Sequence, residues 1–178
     1  MDWNKLKLTK LDDEIISFLF RNPTTIFMGK EIASRLKVSQ TAVSKSIKRL
    51  SKIGLVINEK KIILSISLNR EDRDTFDLKR VYNLKSLYSS GLVKKLSDDF
   101  PGATAILFGS YSYGEDTEES DIDLAIIGYN EGKIDYEKFE NLLQRKIQIQ
   151  FFESFKNMDK NLKANVFDGI TLYGAVSL

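Results

Sequence analysis

Two short apolar runs, ATAILF over 103–108 and DIDLAII over 121–127, constrain the second half of the chain most tightly. Each is the length of a buried strand and too short for an independent helix. Gly109-Ser110 follows the first run directly, where a strand should turn into a helix. A glycine there lets a phosphate approach the backbone, and the N–H groups of the next turn point outward at it. The Ser110 hydroxyl adds a hydrogen bond to a phosphate oxygen. Asp121 and Asp123 occupy alternate positions of the second run. Period-two geometry puts both carboxylates on one face and Ile122 and Leu124 on the other. Such neighbours repel without a cation, and together they suit one or two magnesium ions bridging triphosphate oxygens.

Composition narrows that chemistry. The 178 residues include neither histidine nor cysteine, which excludes disulfides, thiolate zinc sites and the commonest general base. Metal chemistry must run on carboxylates, which favours Mg2+ or Mn2+. The net charge of +2 conceals a division, with +8 over residues 1–70 and −6 over residues 71–178. A basic front and an acidic back suggest two modules with different partners. No apolar run reaches transmembrane length, and the polar opening MDWNKLKLTKLDDE lacks a secretory core, so the expected location is cytoplasmic, with no membrane partner.

The front reads as three helices and a hairpin. Thr9 caps LDDEIISFLFRN, and Pro23 ends that pattern. GKEIASRLK groups Ile32, Ala33 and Leu36, and a turn at Val38-Ser39 leads into QTAVSKSIKRLSKIG. There Val43, Ile47 and Leu50 form the apolar stripe, and Gly54 closes the helix. LVINEKKIILSISLN follows as two β-branched runs turning at Asn58-Glu59-Lys60. Trp3, Phe18, Phe20 and Phe27 read as core packing. This outline, and the stretch MGKEIASRLKVSQTAVSKSIKRLSKIGLVI, resemble winged helix-turn-helix regulators. The resemblance implies duplex DNA as partner, with Gln40, Thr41, Ser44, Lys45 and Lys48 on the recognition helix and Lys60 and Lys61 at the wing.

Residues 71–100 are charged, then helical, with a break near Ser90-Gly91 and a stop at Pro101-Gly102. Val81, Leu84, Leu87, Tyr88, Leu92 and Leu96 recur at helical spacing. This segment is expected to be a linker whose stripe packs on a sheet or forms a homodimer seam. Beyond it, an amphipathic helix over IDYEKFENLLQRK, a strand at IQIQFF, a helix over FKNMDKNLKANVF and a strand at GITLY complete an α+β fold with a mixed sheet. The expected domains are therefore 1–70, 71–100 and 101–178.

Gly-Ser, ten residues, then Asp-Ile-Asp in an apolar strand resembles the signature of the DNA polymerase β-like nucleotidyltransferases, above all their minimal members. The resemblance spans roughly 100–175. It implies that Gly109 and Ser110 hold the triphosphate, that Asp121 and Asp123 are the catalytic metal ligands, and that an NMP passes from an NTP, ATP in the first instance, to an acceptor hydroxyl. Two positions depart from the pattern. Tyr113 stands where many relatives carry a basic residue, and Gln148 stands where a third carboxylate is usual. Gln150 shares its face, and Glu153 would reach the site only if the strand bends. Glu115, Asp116, Glu118 and Glu119 read as a solvated loop. Three functions stay open: an enzyme, a nucleotide-sensing regulator or antitoxin-like partner of a toxin, and an interaction scaffold.

Overall fold

The computed structural model describes residues 6–60, 64–133 and 135–176. Trp3 and Lys61 lie outside them. The chain divides into two compact units, Met1–Lys79 and Arg80–Leu178.

In the first unit, Thr9 caps α1 (Lys10–Arg21) through a reciprocal box with Asp12. The Asp12 amide donates to Thr9 Oγ1 at 3.2 Å, and the Thr9 amide donates to Asp12 Oδ2 at 2.9 Å. The short strand β1 (Phe27–Met28) leads into α2 (Gly29–Leu36), which ends on Lys37 in the left-handed conformation. Ser39 caps α3 (Gln40–Lys52) by accepting from the Ala42 amide. Ile15, Ile16, Leu19, Ile32, Val43, Ile47 and Leu50 are buried, as their helical spacing predicts, and Phe18, Phe20 and Phe27 join them. Gly54, at φ +87°, turns the chain out of α3.

Strands β2 (Val56–Lys60) and β3 (Leu64–Leu68) pair antiparallel, and β1 adds to β3. Two expectations change here. Asn58-Glu59-Lys60 is not the turn, because these residues pair with Ile66, Ser65 and Leu64. Polar side chains are admissible in a strand whose second face is solvated. Strand β1 was not expected, since two residues carry no period to read.

One buried carboxylate ties α1 to α3. Arg49 Nη2 donates to Asp12 Oδ1 at 2.8 Å and Arg49 Nε to Oδ2 at 3.1 Å, while Asp12 itself is 1% exposed. Burial alone would raise the Asp12 carboxyl, but hydrogen bonds from Arg49, Thr9 and Ser46 outweigh it and hold it at about 2.

In the second unit, α4 (Arg73–Ser90) crosses the unit boundary and breaks at Gly91, φ +83°, before α5 (Leu92–Asp99). Strands β4 (Thr104–Phe108), β5 (Ile122–Ile127), β6 (Ile147–Phe152) and β7 (Ile170–Tyr173) form a sheet in the order β6-β5-β4-β7. It is mixed: β5 and β6 run parallel, and the other pairs are antiparallel. One face, with Leu107, Ile122, Leu124 and Ile147, packs on Leu87, Leu92 and Leu96 and on Phe139 and Leu143 of α7 (Glu137–Leu143). The other, with Ile106, Phe108, Ala125 and Ile127, packs on Phe155 and Met158 and on Val166 of α8 (Lys160–Phe167). Of the two expectations for the stripe over 71–100, packing on a sheet is the one that Leu87, Leu92 and Leu96 follow. The boundary falls inside α4, and Leu87 through Phe100 help wall the sheet's core. Of its apolar stripe, Val81 and Tyr88 are exposed, and the Tyr88 hydroxyl donates to the Leu172 carbonyl. Among the described residues no helix is long and apolar enough to cross a membrane.

The depressed Asp12 carboxyl yields a pH prediction. Its folded value of about 2 lies below the ordinary 3.8, so the ionised group stabilises the fold. That contribution, about 2 kcal/mol, is complete above roughly pH 4 and is lost as pH falls through about 2. Asp12→Asn should melt earlier than wild type at pH 7, and the gap should close near pH 2. Circular-dichroism melts of the full chain across that range check it; a pH-independent gap contradicts the assignment.

Candidate functional site

The site is built where the end of β4 lies beside the start of β5. Phe108 is the last residue of β4 and pairs with Asp123 in β5. Gly109 follows at φ +71° and opens α6 (Gly109–Tyr113), a turn and a half closed by Gly114. A Cβ placed on Gly109 would lie 2.5 Å from Asp123 Oδ2. The Asp123 carboxylate thus occupies the space above Gly109 that any other residue would fill. Both the positive φ and the missing side chain are required at this position. Ser110, the next residue, is half-buried, and the Ser112 hydroxyl donates to the Gly109 carbonyl at 2.7 Å.

Asp121 and Asp123 are both half-buried, with Ile122 between them fully buried on the opposite face. The Asp123 carboxyl is pushed above the ordinary carboxylate range, first by burial and then by the neighbouring Asp121 charge. Two oxygen-donor groups that repel each other, in a sequence without histidine or cysteine, match the preferences of a hard divalent cation. In the parallel ladder Asp123 pairs with Gln148, and Ala125 with Gln150. Both glutamines are exposed on the Asp123 face. Glu153 lies beyond the Ile127–Phe152 pair, beside a cleft lined by Ile127 and Gly128 at the far end of β5. Five residues of strand separate it from Gln148, about 17 Å, so it does not complete the site. Among the described residues no group of three or more carboxylates gathers as a metal site.

The loop between α6 and β5 departs from its sequence reading. Asp116 is 1% exposed rather than solvated. Asn83 Nδ2 donates to Asp116 Oδ1 at 2.7 Å and to the Tyr111 carbonyl at 2.9 Å. The buried Arg145 guanidinium lies 3.5 Å from Asp116 Oδ2. This knot pins the loop that connects Ser110 to Asp121. It also helps hold the buried Tyr111 hydroxyl protonated, burial being the first cause and the Asp116 charge the second. A run such as GEDTEES carries no sign that one acid is buried. Asn83, four residues before Leu87 on the buried side of α4, was the available clue. A polar residue inside an apolar stripe needs a buried partner.

In the first unit, Gln40, Thr41, Ser44, Lys45 and Lys48 are all exposed on α3, opposite the buried Val43, Ile47 and Leu50. Arg49, on the same helix, is engaged by Asp12. Lys60 is placed by its backbone pairing with Leu64, and Lys61 is outside the described residues.

Comparison with known proteins agrees with this division. A family model described as a nucleotidyltransferase domain matches residues 89–172, and one described as an HTH domain matches residues 13–62. The chain therefore carries a nucleotidyltransferase domain behind an N-terminal HTH domain. The match begins at Ser89, within α4, and so includes α5. No curated protein matches the chain significantly. Among solved structures, Lactococcus lactis ZitR, wild type in complex with DNA, is 21% identical over 54% of this chain and 64% of that one, with a TM-score of 0.41. A ZitR mutant is 22% identical over 55% and 66%, with a TM-score of 0.40. This chain thus spans just under two thirds of the length of those structures.

The buried knot is open to test. Asp116→Ala removes the carboxylate facing a guanidinium whose side chain is 4% exposed, which should cost about 3–5 kcal/mol. The exposed neighbour Glu119 should tolerate alanine within about 0.5 kcal/mol. Urea unfolding of the two variants measures the difference, and equal midpoints would remove the structural role given to Asp116.

Proposed function

We propose that the second unit binds a metal-chelated nucleoside triphosphate and transfers its NMP to an acceptor hydroxyl, while the HTH unit binds duplex DNA. The observation that carries this is the Asp123 carboxylate seated over Gly109. It brings the two acids to the mouth of the strand-to-helix turn at Gly109-Ser110. Asp121 and Asp123 would hold Mg2+ or Mn2+. When bound, that ion offsets charge on the phosphate oxygens. Gly109, lacking a side chain, gives Asp123 its place beside the turn, and Ser110 would donate its hydroxyl to a phosphate oxygen. ATP is the first triphosphate to try.

In the transfer, the acceptor oxygen forms a bond to the α-phosphorus. The bond from that phosphorus to the bridging oxygen breaks, and pyrophosphate leaves with the electron pair. The acceptor proton passes to water, because Gln148 opposite Asp123 has no basic atom to take it. Small molecules, RNA ends and a toxin-like protein partner are the acceptor classes this chemistry admits.

Gln148 also supports a second reading. With binding intact and no base on the acceptor side, nucleotide occupancy would itself be the signal, and the chain would act as a nucleotide-sensing regulator. Incubation with Mg2+ and ATP labelled on the α-phosphate separates the two. Asp121→Asn with Asp123→Asn should abolish retention of label on the protein. Label moved to a supplied acceptor favours transfer; retention without transfer favours sensing; no retention by wild type refutes both.

For the HTH unit, Lys45→Ala with Lys48→Ala should weaken binding to random-sequence duplex. The pair should also reduce the slope of log affinity against log salt by about 2, one released counterion per lysine. A wild-type affinity that ignores salt would be incompatible with phosphate contacts.

A further inference from the structure

One polar side chain in the first unit stands where the strand pattern calls for an apolar one. Alternation along β2 sets Asn58 on the same side as Val56. Val56 is buried, and so are Leu68 and Ile66, the β3 residues that pair with Val56 and Asn58. Asn58 thus continues the buried face of the hairpin, while Glu59 after it is exposed. The side-chain oxygen of Asn58 is shielded from solvent, and no group of the described residues donates to it. A buried acceptor left in this way is unfavourable for the fold alone, and a leucine of similar size would remove the cost.

Asn58 lines a cleft of about 460 Å³ walled by α2, α3 and the three-stranded sheet, a volume that suits a small organic molecule. Its floor is apolar, formed by Met28, Val43, Ile47 and Ile66. Lys30, exposed at the start of α2, is the one charge among the lining residues. Gln40 and Ser44, on the exposed side of α3, complete the wall. This combination selects its occupant. A phosphodiester carries acceptors only, so it offers nothing to the Asn58 oxygen or to the apolar floor. The matching molecule has an apolar body, a hydroxyl to donate to Asn58 and an anionic group for Lys30.

We propose that this cleft binds a small hydroxylated organic acid, and that this ligand and duplex DNA exclude each other because Gln40 and Ser44 serve both. The exclusion rests on the DNA-binding reading above; the ligand site does not.

The test uses the full chain with isotopically labelled isoleucine methyl groups, and para-hydroxyphenylacetate as probe. Saturable shifts of the Ile47 and Ile66 methyl signals are expected. Phenylacetate, which lacks the hydroxyl, should bind about tenfold more weakly, the scale of one hydrogen bond. Asn58→Leu should lose that factor for the hydroxylated probe and leave phenylacetate unchanged. The same substitution should raise the melting temperature, since it removes the unpaired oxygen. Lys30→Gln should weaken both acids about threefold. By fluorescence anisotropy, the probe should release labelled random-sequence duplex from wild type, and at equal concentration much less from Asn58→Leu. Methyl signals that ignore the probe overturn the proposal, as does equal binding of the two acids. A lower melting temperature in Asn58→Leu also overturns it, because water would then already satisfy the oxygen. Signals that move with duplex and not with the probe make the cleft part of the DNA interface instead. Probe that binds without releasing duplex refutes the exclusion. If wild type binds no duplex, the DNA-binding reading fails, and the methyl shifts still decide the ligand site.

Discussion

The placement of one carboxylate over one glycine organises the second unit's site. Asp123 is locked by the last rung of the β4–β5 ladder, opposite Phe108. Its Oδ2 fills the position a Gly109 side chain would take. Neither partner is free to move: β4 is buried along its whole length, and Ile122 and Leu124 fix β5 from the opposite face. The apolar core thus holds an acid in a half-buried place beside a second acid, where its charged form is disfavoured. A local arrangement that is unfavourable by itself, yet over-determined by its surroundings, is what a preformed cation site requires.

Much of this was legible because local and tertiary signals agree. Thr9 and Ser39 are helix caps by chemistry, and both cap through hydrogen bonds to the next turn. The apolar runs at 103–108 and 121–127 are long enough to show their period, and their alternation assigned Asp121 and Asp123 to one face. Gln148 was singled out by resemblance, as the position of a third carboxylate, and the register sets it opposite Asp123.

What remained hidden has identifiable causes. Strand β1 has two residues, below any readable period. The hairpin turn was placed at Asn58-Glu59-Lys60 because polarity usually marks a turn. A strand with one solvated face carries the same polarity, and only pairing distinguishes the cases. Asp116 illustrates a deeper limit. Its burial depends on Asn83 and Arg145, respectively 33 and 29 residues away. Composition averages over a loop, whereas one buried acid is decided by partners distant in sequence. The boundary inside α4 is hidden for the opposite reason. A continuous helix offers no break in pattern where one unit ends and the next begins.

The charge division between the halves takes on a more specific meaning in this light. The basic excess of the first unit includes exposed Lys45 and Lys48 on α3, while Arg49 is spent internally on Asp12. In the acidic second unit, Asp116 is likewise internal, and so the acids that matter for a ligand are fewer than the composition suggests. Asp123 faces Gln148 across the β5–β6 pair, while Asp121 shares its cleft with Lys146 and with Glu118, Glu119, Glu137 and Glu140.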